Sequence, residues 1–183
     1  MLLASLATSR DDLRQILQLQ QLNLSTNISA DELNSQGFVT MRHNLETLEQ
    51  MNDLGPAVII KDQEKVVAYA LTMLVECKDL MPALKPMFTI FESLSWMGNP
   101  LNTYSYYVMG QICVAKEFRG QGLVDELYHY HRKIYQSKFE LILTEIATRN
   151  FRSIKAHEKV GFKTIHIHKD ALDEWAIVGW DWK

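Results

Sequence analysis

The sequence is poor in cysteine, contains no long hydrophobic run and carries no excess of basic residues. Its two cysteines, Cys77 and Cys113, argue against a disulfide framework and favour a reducing compartment, so we expect a cytoplasmic protein. A membrane-spanning helix needs about 18 consecutive apolar residues, and no such run occurs, so we expect no membrane partner. The net charge of −3 gives no general affinity for nucleic acid. These shortages exclude disulfide-stapled, membrane-spanning and nucleic-acid-binding proteins.

Internal repeats, linkers and low-complexity tracts are also missing. The 183 residues are 47% hydrophobic and 22% charged, as in a globular protein long enough to bury a sizeable core. We therefore predict one domain over residues 1–183. The apolar start reaches Ser9-Arg10-Asp11-Asp12 too soon for a signal peptide and has no basic leader, so we expect none.

Two glycines lie between a run typical of a strand and a run typical of a helix. Residues 107–114 are apolar and β-branched, whereas apolar side chains recur at helical spacing from Leu123 to Ile134. The stretch Arg119-Gly120-Gln121-Gly122-Leu123-Val124 is therefore predicted to turn from strand to helix. The first N–H groups of such a helix lack intrahelical partners and bind anions, aided by the helix dipole. Glycine also lets the backbone approach a pyrophosphate closely.

Two common phosphate-binding motifs do not fit this turn. A nucleoside-triphosphate loop needs Lys and then Ser or Thr after its last glycine, where this chain has Leu123 and Val124. A dinucleotide fingerprint needs a third glycine where this chain has Asp125, and it belongs in an early βαβ unit. Taken alone, two glycines are more often an ordinary tight turn. A second motif has to decide between the two interpretations.

That second motif is a short helix predicted over residues 150–162, with clear signals at both ends. Asn150 is a helix-capping residue and Gly161 follows the last turn. The preceding residues 139–147 form another apolar, strand-like run. The order of parts is therefore strand, glycine turn, helix, strand, Asn, helix and Gly-Phe. This order resembles the GNAT superfamily of acyl-CoA-dependent N-acyltransferases.

The resemblance holds position by position over about residues 56–168. Arg119 and Gly122 match the family's Arg/Gln-x-x-Gly-x-Gly/Ala turn, with Val124 in place of the final small residue. The second hallmark is matched by Glu145, Asn150 and the segment Glu158-Lys159-Val160-Gly161-Phe162. His157 stands where the family commonly has tyrosine.

The resemblance implies a mixed α/β fold, in which helices flank a central, mostly antiparallel and splayed sheet. It implies acetyl-CoA as the acyl donor, no metal, and an amine acceptor on a small molecule or a peptide. The residues implied to bind coenzyme A are Ile112, Cys113, Val114, Arg119, Gly120, Gln121, Gly122, Leu123, Val124, Asn150 and Ser153.

Within that implied site, backbone amides of the turn hold the pyrophosphate. An amide near Val114 faces the thioester carbonyl oxygen, and Asn150 bonds to the amides of the pantetheine arm. Arg119, or the nearby Arg152 and Lys155, could meet phosphates. The alternative for these three cations is a solvated surface.

Two residues are candidates for proton transfer. The resemblance places Glu145 where some members carry a carboxylate that removes the amine proton; the alternative is a surface or sheet-edge carboxylate. His157 stands where tyrosine typically protonates the leaving thiolate. With an ordinary pKa near about 6.5, a histidine there could donate a proton, act as the base, or merely be hydrogen-bonded near the coenzyme.

Other reactive side chains are weaker candidates. Cys113 could carry an acyl group, but a cysteine in an apolar strand is usually a small buried hydrophobe. His166 and His168 share one strand face, yet no Cys or third His lies at ligand spacing, so we expect no metal.

The predicted function is therefore transfer of an acetyl group from acetyl-CoA to an amine by direct attack. A second hypothesis is a non-catalytic acyl-CoA-binding or sensor module that kept the turn and lost the acid. A third is a protein that uses the turn only for folding. The acceptor is unassigned, and a homodimer is left open.

The remaining elements are predicted from pattern alone. We expect a strand at the start, a helix capped at Ser9 and a second helix over residues 45–51. A hairpin should turn at residues 62–65, and two strands should follow Phe162. Residues 78–103 are predicted as a short helical insertion, whose apolar side chains are either buried core, a wall of the substrate site or an oligomer contact.

Overall fold

The computed structural model describes residues 2–183, and that part of the chain forms six α-helices and nine β-strands. The helices are α1 Arg10–Asn23, α2 Ala30–Ser35, α3 Leu45–Leu54, α4 Lys85–Ser93, α5 Leu123–Tyr135 and α6 Phe151–Val160. The strands are β1 Ala4–Leu6, β2 Val58–Asp62, β3 Lys65–Met73, β4 Ser95–Trp96, β5 Asn99–Pro100, β6 Tyr106–Val114, β7 Leu141–Ala147, β8 Lys163–Lys169 and β9 Glu174–Asp181.

Seven of these strands form one sheet in the order β1-β2-β3-β6-β7-β9-β8. Every neighbouring pair is antiparallel except β6 and β7, which are parallel. The predicted fold class, a mixed α/β domain with a mostly antiparallel sheet between helices, is confirmed. In the described part of the chain, no helix combines the length and the apolar composition needed to cross a membrane.

Local sequence signals explain where the helices begin. At the start of α1, the Ser9 side chain accepts from the Asp12 N–H and the Asp12 carboxylate accepts from the Ser9 N–H, which is a complete capping box. Asn44 caps α3 and Asn150 caps α6 in the same way, through their side-chain oxygens. Helix α2 is capped by Ser29 and was not expected from the sequence, because six residues are too few to show a periodic pattern.

Two hydrophobic cores lie on opposite faces of the sheet. Helices α1, α3 and α4 cover one face, and α5 and α6 cover the other. The largest fully buried side chains on the first face include Ile16, Leu48, Met51, Tyr69, Leu71 and Phe91. On the second face, the fully buried side chains include Val58, Tyr107, Leu127, Tyr128 and Ile142. The sheet is therefore buried on both faces over most of its area.

Residues 78–103 belong to the first core. They form short 3-10 turns, α4 and the β4–β5 hairpin, so the predicted helical insertion is confirmed. Met81, Met87, Phe88 and Trp96 are buried there, whereas Met97 is 73% exposed. Of the three interpretations, buried core therefore applies to Met81, Met87, Phe88, Phe91 and Trp96, and Leu80, Leu84, Ile90 and Leu94 pack against that core while partly exposed. None of the residues 78–103 lines either of the two cavities described below.

Candidate active site

The sheet is split where β6 and β7 run side by side. These parallel strands pair over three residues only, ending at Val108 and Leu143. The Thr144 hydroxyl then donates to the Met109 carbonyl oxygen at 2.9 Å, and beyond this contact the two strands separate. A gap in the middle of a sheet leaves backbone N–H and C=O groups without a strand partner. The predicted splay is present at this position.

The second half of β6 presents free backbone groups to this gap. The Ala115 N–H donates to the Val67 carbonyl on the β3 side at 2.8 Å. Backbone groups of successive strand residues point to opposite sides, so those of Val114 and Ile112 point away from β3. The Val114 carbonyl indeed accepts from the Arg119 guanidinium at 3.3 Å and not from β3. The amides of Ile112 and Val114 are thus placed to meet a ligand in the gap.

A cavity of about 230 Å³ opens on one side of the gap. It lies between the end of β6, the glycine turn and helix α6. The lining residues include Ile112, Cys113, Val114, Arg119, Gly120, Gly122, Leu123, Val124 and Ser153. Of the residues predicted to bind coenzyme A, only Gln121 and Asn150 do not line it. The Gln121 side chain instead donates to the Glu117 carbonyl on the surface.

The glycine turn has the geometry of an anion cradle. Gly120 and Gly122 adopt φ of +78° and +79°, a region that favours glycine. A Cβ atom at either position would meet nothing within 4 Å, so both face open space. Gly122 precedes the first residue of α5, and the first helical N–H with a partner is that of Glu126, which donates to Gly122. The preceding N–H groups are available to phosphate oxygens, so the residues present fit a pyrophosphate.

The Arg119 side chain is held by protein oxygens. Its guanidinium donates to Asn23 Oδ1 at 2.5 Å, to Gln36 Oε1 at 3.3 Å and to the Val114 carbonyl. It therefore ties the turn to the ends of α1 and α2, rather than projecting freely as expected for a phosphate ligand. Two further cations line the cavity, Arg152 and Lys159, and Lys159 pairs with Asp125 at 2.6 Å. Lys155 does not line it.

The Asn150 side chain is likewise occupied within the protein. Its Oδ1 accepts from the Ser153 N–H, and its Nδ2 donates to the Phe38 carbonyl at 2.9 Å. The side chain is buried and caps α6 while anchoring residues 37–41. These contacts use one N–H group and one acceptor site of the amide, so binding of the pantetheine arm by the remaining N–H and lone pair stays a prediction.

Residues 37–41 form a covering segment over the gap, which was not expected from the sequence. The Val39 N–H donates to the Asn23 carbonyl at 3.0 Å, and Gln111 Nε2 donates to the Met41 carbonyl at 2.8 Å. The Arg149 guanidinium lies over the Phe38 ring, with its Cζ atom 4.7 Å from the ring centroid. This irregular segment has no hydrophobic periodicity, so no sequence pattern could have revealed its position.

A second, smaller cavity of about 70 Å³ lies on the other side of the gap. Residues that line both cavities are Phe38, Val39, Ile112, Ser153 and His157. The second cavity is also lined by Gln111, Thr144, Glu145, Asn150 and Trp175. The two cavities therefore meet at the covering segment and the start of α6.

Among the described residues that line the second cavity, Glu145 is the only one with a carboxylate side chain. It lies on β7 and its Oε1 is 2.5 Å from His168 Nε2. Burial raises the pKa of the Glu145 carboxyl above its usual range, although the hydrogen bond and charge of His168 oppose this rise. A buried carboxylate with a raised pKa at a cavity wall is suited to accept a proton.

His157 lies at the junction of the two cavities with both ring nitrogens engaged. Nδ1 lies 2.7 Å from the Ser153 carbonyl, to which it donates, so Nε2 accepts from the Tyr128 hydroxyl at 2.6 Å. The residue is 2% exposed, and burial lowers the pKa of the imidazole to about 4. His157 is therefore neutral at pH 7, without a free proton or a free lone pair. Of the three roles considered, this geometry favours a histidine hydrogen-bonded beside the ligand.

Cys113 lines the first cavity as an apolar wall. It is buried, and desolvation raises the pKa of its thiol to about 12. A thiol this far from ionisation is a poor nucleophile. His166 and His168 stack with ring centroids 6.2 Å apart. Across residues 2–183, no group of three or more His, Cys, Asp or Glu side chains has the arrangement of a metal site.

Comparison with known proteins extends this picture. The acetyltransferase (GNAT) family model matches residues 18–162. No curated sequence is significantly similar to this chain.

Several solved structures share the fold. The ribosomal-protein-S18-alanine N-acetyltransferase from Escherichia coli superimposes with a TM-score of 0.66 at 14% identity, covering 99% of this chain and 94% of that one. The ribosomal-protein-alanine N-acetyltransferase from Brucella melitensis superimposes with a TM-score of 0.63 at 18% identity, covering 98% of this chain and 99% of that one. A putative acetyltransferase from Salmonella typhimurium, solved with its cofactor acetyl-CoA, superimposes with a TM-score of 0.63 at 13% identity, covering 100% of this chain and 94% of that one. At such identities the likeness concerns the fold.

Proposed function

The chain belongs to the acetyltransferase (GNAT) family, and from this premise we propose that it moves an acetyl group from acetyl-CoA to a primary amine by direct attack. One observation carries the proposal. An anion cradle and a buried carboxylate lie in two cavities that meet at the split in the sheet. Such an arrangement lets a donor enter from one side and an acceptor from the other.

The first cavity is proposed as the acetyl-CoA site. The N–H groups at the glycine turn would hold the pyrophosphate, with Arg152 and Lys159 as the nearby cations. Acetyl-CoA supplies an acetyl thioester; attack by the amine would form a C–N bond and break the C–S bond, so that coenzyme A leaves as a thiolate that takes a proton from solvent, and the amine nitrogen would give up one proton to a base. The amides of Ile112 and Val114 would stabilise negative charge on the carbonyl oxygen, since both point into the gap.

The second cavity is proposed as the amine site, with Glu145 as the base that takes the released proton. Its lining residues include no Lys or Arg, and His157 is neutral. A carboxylate next to the amine would therefore lack a cationic partner in this cavity, which is unfavourable. We infer that the acceptor is an amine without an adjacent carboxylate, as in a peptide N-terminus, a lysine side chain or a simple amine. His157 is proposed to shape the junction, without transferring a proton.

Substitution of Glu145 tests the proposal. Glu145→Gln keeps the shape of the side chain but removes the base, so kcat/KM with an amine panel should fall about 10²–10⁴-fold. Protection of the fold by coenzyme A should remain, because Glu145 does not line the first cavity. Thiol release measures the turnover. The matched control is Glu92→Gln, an exposed glutamate on α4 that lines neither cavity.

One observation favours a second function, a non-catalytic acyl-CoA-binding module. His157 occupies the usual tyrosine position, is neutral at pH 7, and its one N–H is already bonded to the Ser153 carbonyl. This function predicts that coenzyme A protects the protein against unfolding while a broad amine panel releases no thiol. Turnover that depends on Glu145 would exclude it.

A further inference from the structure

The side chains of Glu145 and His168 are in contact, although their strands are not neighbours in the sheet. Glu145 lies on β7 and His168 on the edge strand β8, with β9 between them. In the sheet register, Glu145 pairs with Ile177, which in turn pairs with His166. His168 is two residues further along β8, so it projects from the same face as His166 and reaches Glu145 diagonally. The 2.5 Å contact between Nε2 and Oε1 therefore depends on the sheet register.

The two side chains have different access to the acceptor cavity. Both are mostly buried, with 17% of the His168 side chain and 16% of the Glu145 side chain exposed. Glu145 lines the cavity, and His168 does not. Any influence of His168 on an amine in that cavity must therefore pass through Glu145.

We propose that His168 is a positioning residue for Glu145, holding Oε1 so that the carboxylate is oriented and kept ionised for proton transfer. The inference rests on the proposed function, in which Glu145 is the base. Without His168, the carboxylate would lose its hydrogen-bond donor and could rotate away from the acceptor. It would also lose the interaction that opposes protonation in a buried site.

The other groups around Glu145 do not supply this effect. Asp170, which follows β8, raises the pKa of the Glu145 carboxyl further, as burial does. His157 on α6 is neutral. Gln111 on β6 and Trp175 on β9 carry no charge. His166 stacks on His168, and Asp181, at the far end of β9 on the same face, accepts a hydrogen bond from Trp96 Nε1. His168 is thus the group that lowers the pKa of the carboxyl.

The pH profile of kcat/KM tests this role with three variants. In His168→Ala, the rising limb should move to higher pH, because Glu145 now ionises less readily. A shift of about half to one pH unit would lower kcat/KM about three- to tenfold below the midpoint, with recovery at high pH. His168→Gln keeps an N–H donor and should shift less. His166→Gln, on the same strand face, should leave the profile unchanged. The acceptor's own titration is common to all variants and cancels in the comparison.

A second readout does not depend on turnover. The ¹³C resonance of the Glu145 carboxyl, followed against pH in wild type and in His168→Ala, should titrate at higher pH in the variant. Equal carboxyl titrations, or a pH profile lowered uniformly without a shift, would overturn the inference. A wild type that releases no thiol would instead overturn the proposed function, while the carboxyl titration would still decide whether His168 acts on Glu145.

Discussion

Three polar side chains of the predicted site are already committed to partners within the protein. Arg119 bonds to Asn23 and Gln36, Asn150 to Phe38, and His157 to Tyr128. Arg119 and Asn150 match positions of the family pattern, whereas His157 stands where the family commonly has tyrosine, and all three were candidates for contact with the ligand. Because a buried donor or acceptor is costly to leave unpaired, these contacts hold the walls of the cavities in place. In the proposed site, contact with the ligand is therefore assigned mainly to backbone amides.

The Tyr128–His157 pair gives a test at this scale. His157→Phe leaves the Tyr128 hydroxyl, in a 0% exposed residue, without its acceptor. The free energy of unfolding should fall by about 1–3 kcal/mol, whereas turnover should fall less than about tenfold if His157 transfers no proton. The double variant Tyr128→Phe/His157→Phe removes both partners and should recover part of the lost stability. Urea unfolding and thiol release measure the two effects. A stable His157→Phe variant that has lost turnover would assign a proton-transfer role to His157.

At the scale of elements, two glycines end or begin helices for different physical reasons. Gly122 starts α5 at φ +79° and faces open space, where the ligand is proposed to bind. Gly161 ends α6 at φ +123°, and a Cβ there would lie 2.9 Å from Trp180 Nε1. At Gly122 the missing side chain leaves the backbone N–H groups of the turn accessible to the proposed ligand. At Gly161 it leaves room for the Trp180 side chain of β9.

Substitution by alanine should therefore destabilise the fold at both glycines but weaken coenzyme A binding only at Gly122. Gly161→Ala should lower the free energy of unfolding by about 1–3 kcal/mol, because both the backbone and Trp180 must adjust. Gly122→Ala should lower it by only about 1–2 kcal/mol of backbone strain, but should weaken coenzyme A binding because the new methyl group enters the cradle. Urea unfolding measures the loss of stability, and calorimetric titration with coenzyme A measures the loss of binding. Normal coenzyme A affinity in Gly122→Ala would argue against the cradle.

The split between β6 and β7 is the element-scale feature on which the site depends. Both strands were predicted from their apolar patterns, and both are present with nearly the expected bounds. The family resemblance implied a splayed sheet, but the parallel pairing of these two strands and its end after Val108 and Leu143 were established only by the structure. A strand pattern reports which residues are buried, but it does not report where a neighbouring strand diverges.

At the scale of the whole molecule, the proposed coenzyme A site in the first cavity exists only in the folded state. A ligand that binds only this state should stabilise it by about 2.7 kcal/mol at 100 times its Kd. For a domain of this size, that corresponds to a rise in Tm of about 5–10 °C. Thermal unfolding with and without coenzyme A measures the shift.

A matched pair of cations on α6 sharpens this test. Arg152 lines the first cavity, whereas Lys155 lies on the same helix and does not. Arg152→Gln should weaken coenzyme A binding about two- to tenfold, since one contact of a partly exposed cation is lost. Lys155→Gln should leave it nearly unchanged. Equal protection in both variants would mean that the backbone cradle alone holds the phosphates, and no protection in wild type would contradict the first-cavity site.

Taken by itself, the sequence determined the elements, their caps and the glycine turn, because these depend on residues within a few positions of one another. Ser9, Asn44, Asn150, Gly122 and Gly161 all act at the helix ends that local signals predicted. Tertiary structure alone decided which side chains remained available to a ligand. The Arg119–Asn23 and Glu145–His168 contacts join residues far apart in the chain, and sheet register and helix packing create them. A local pattern carries no information about such distant partners.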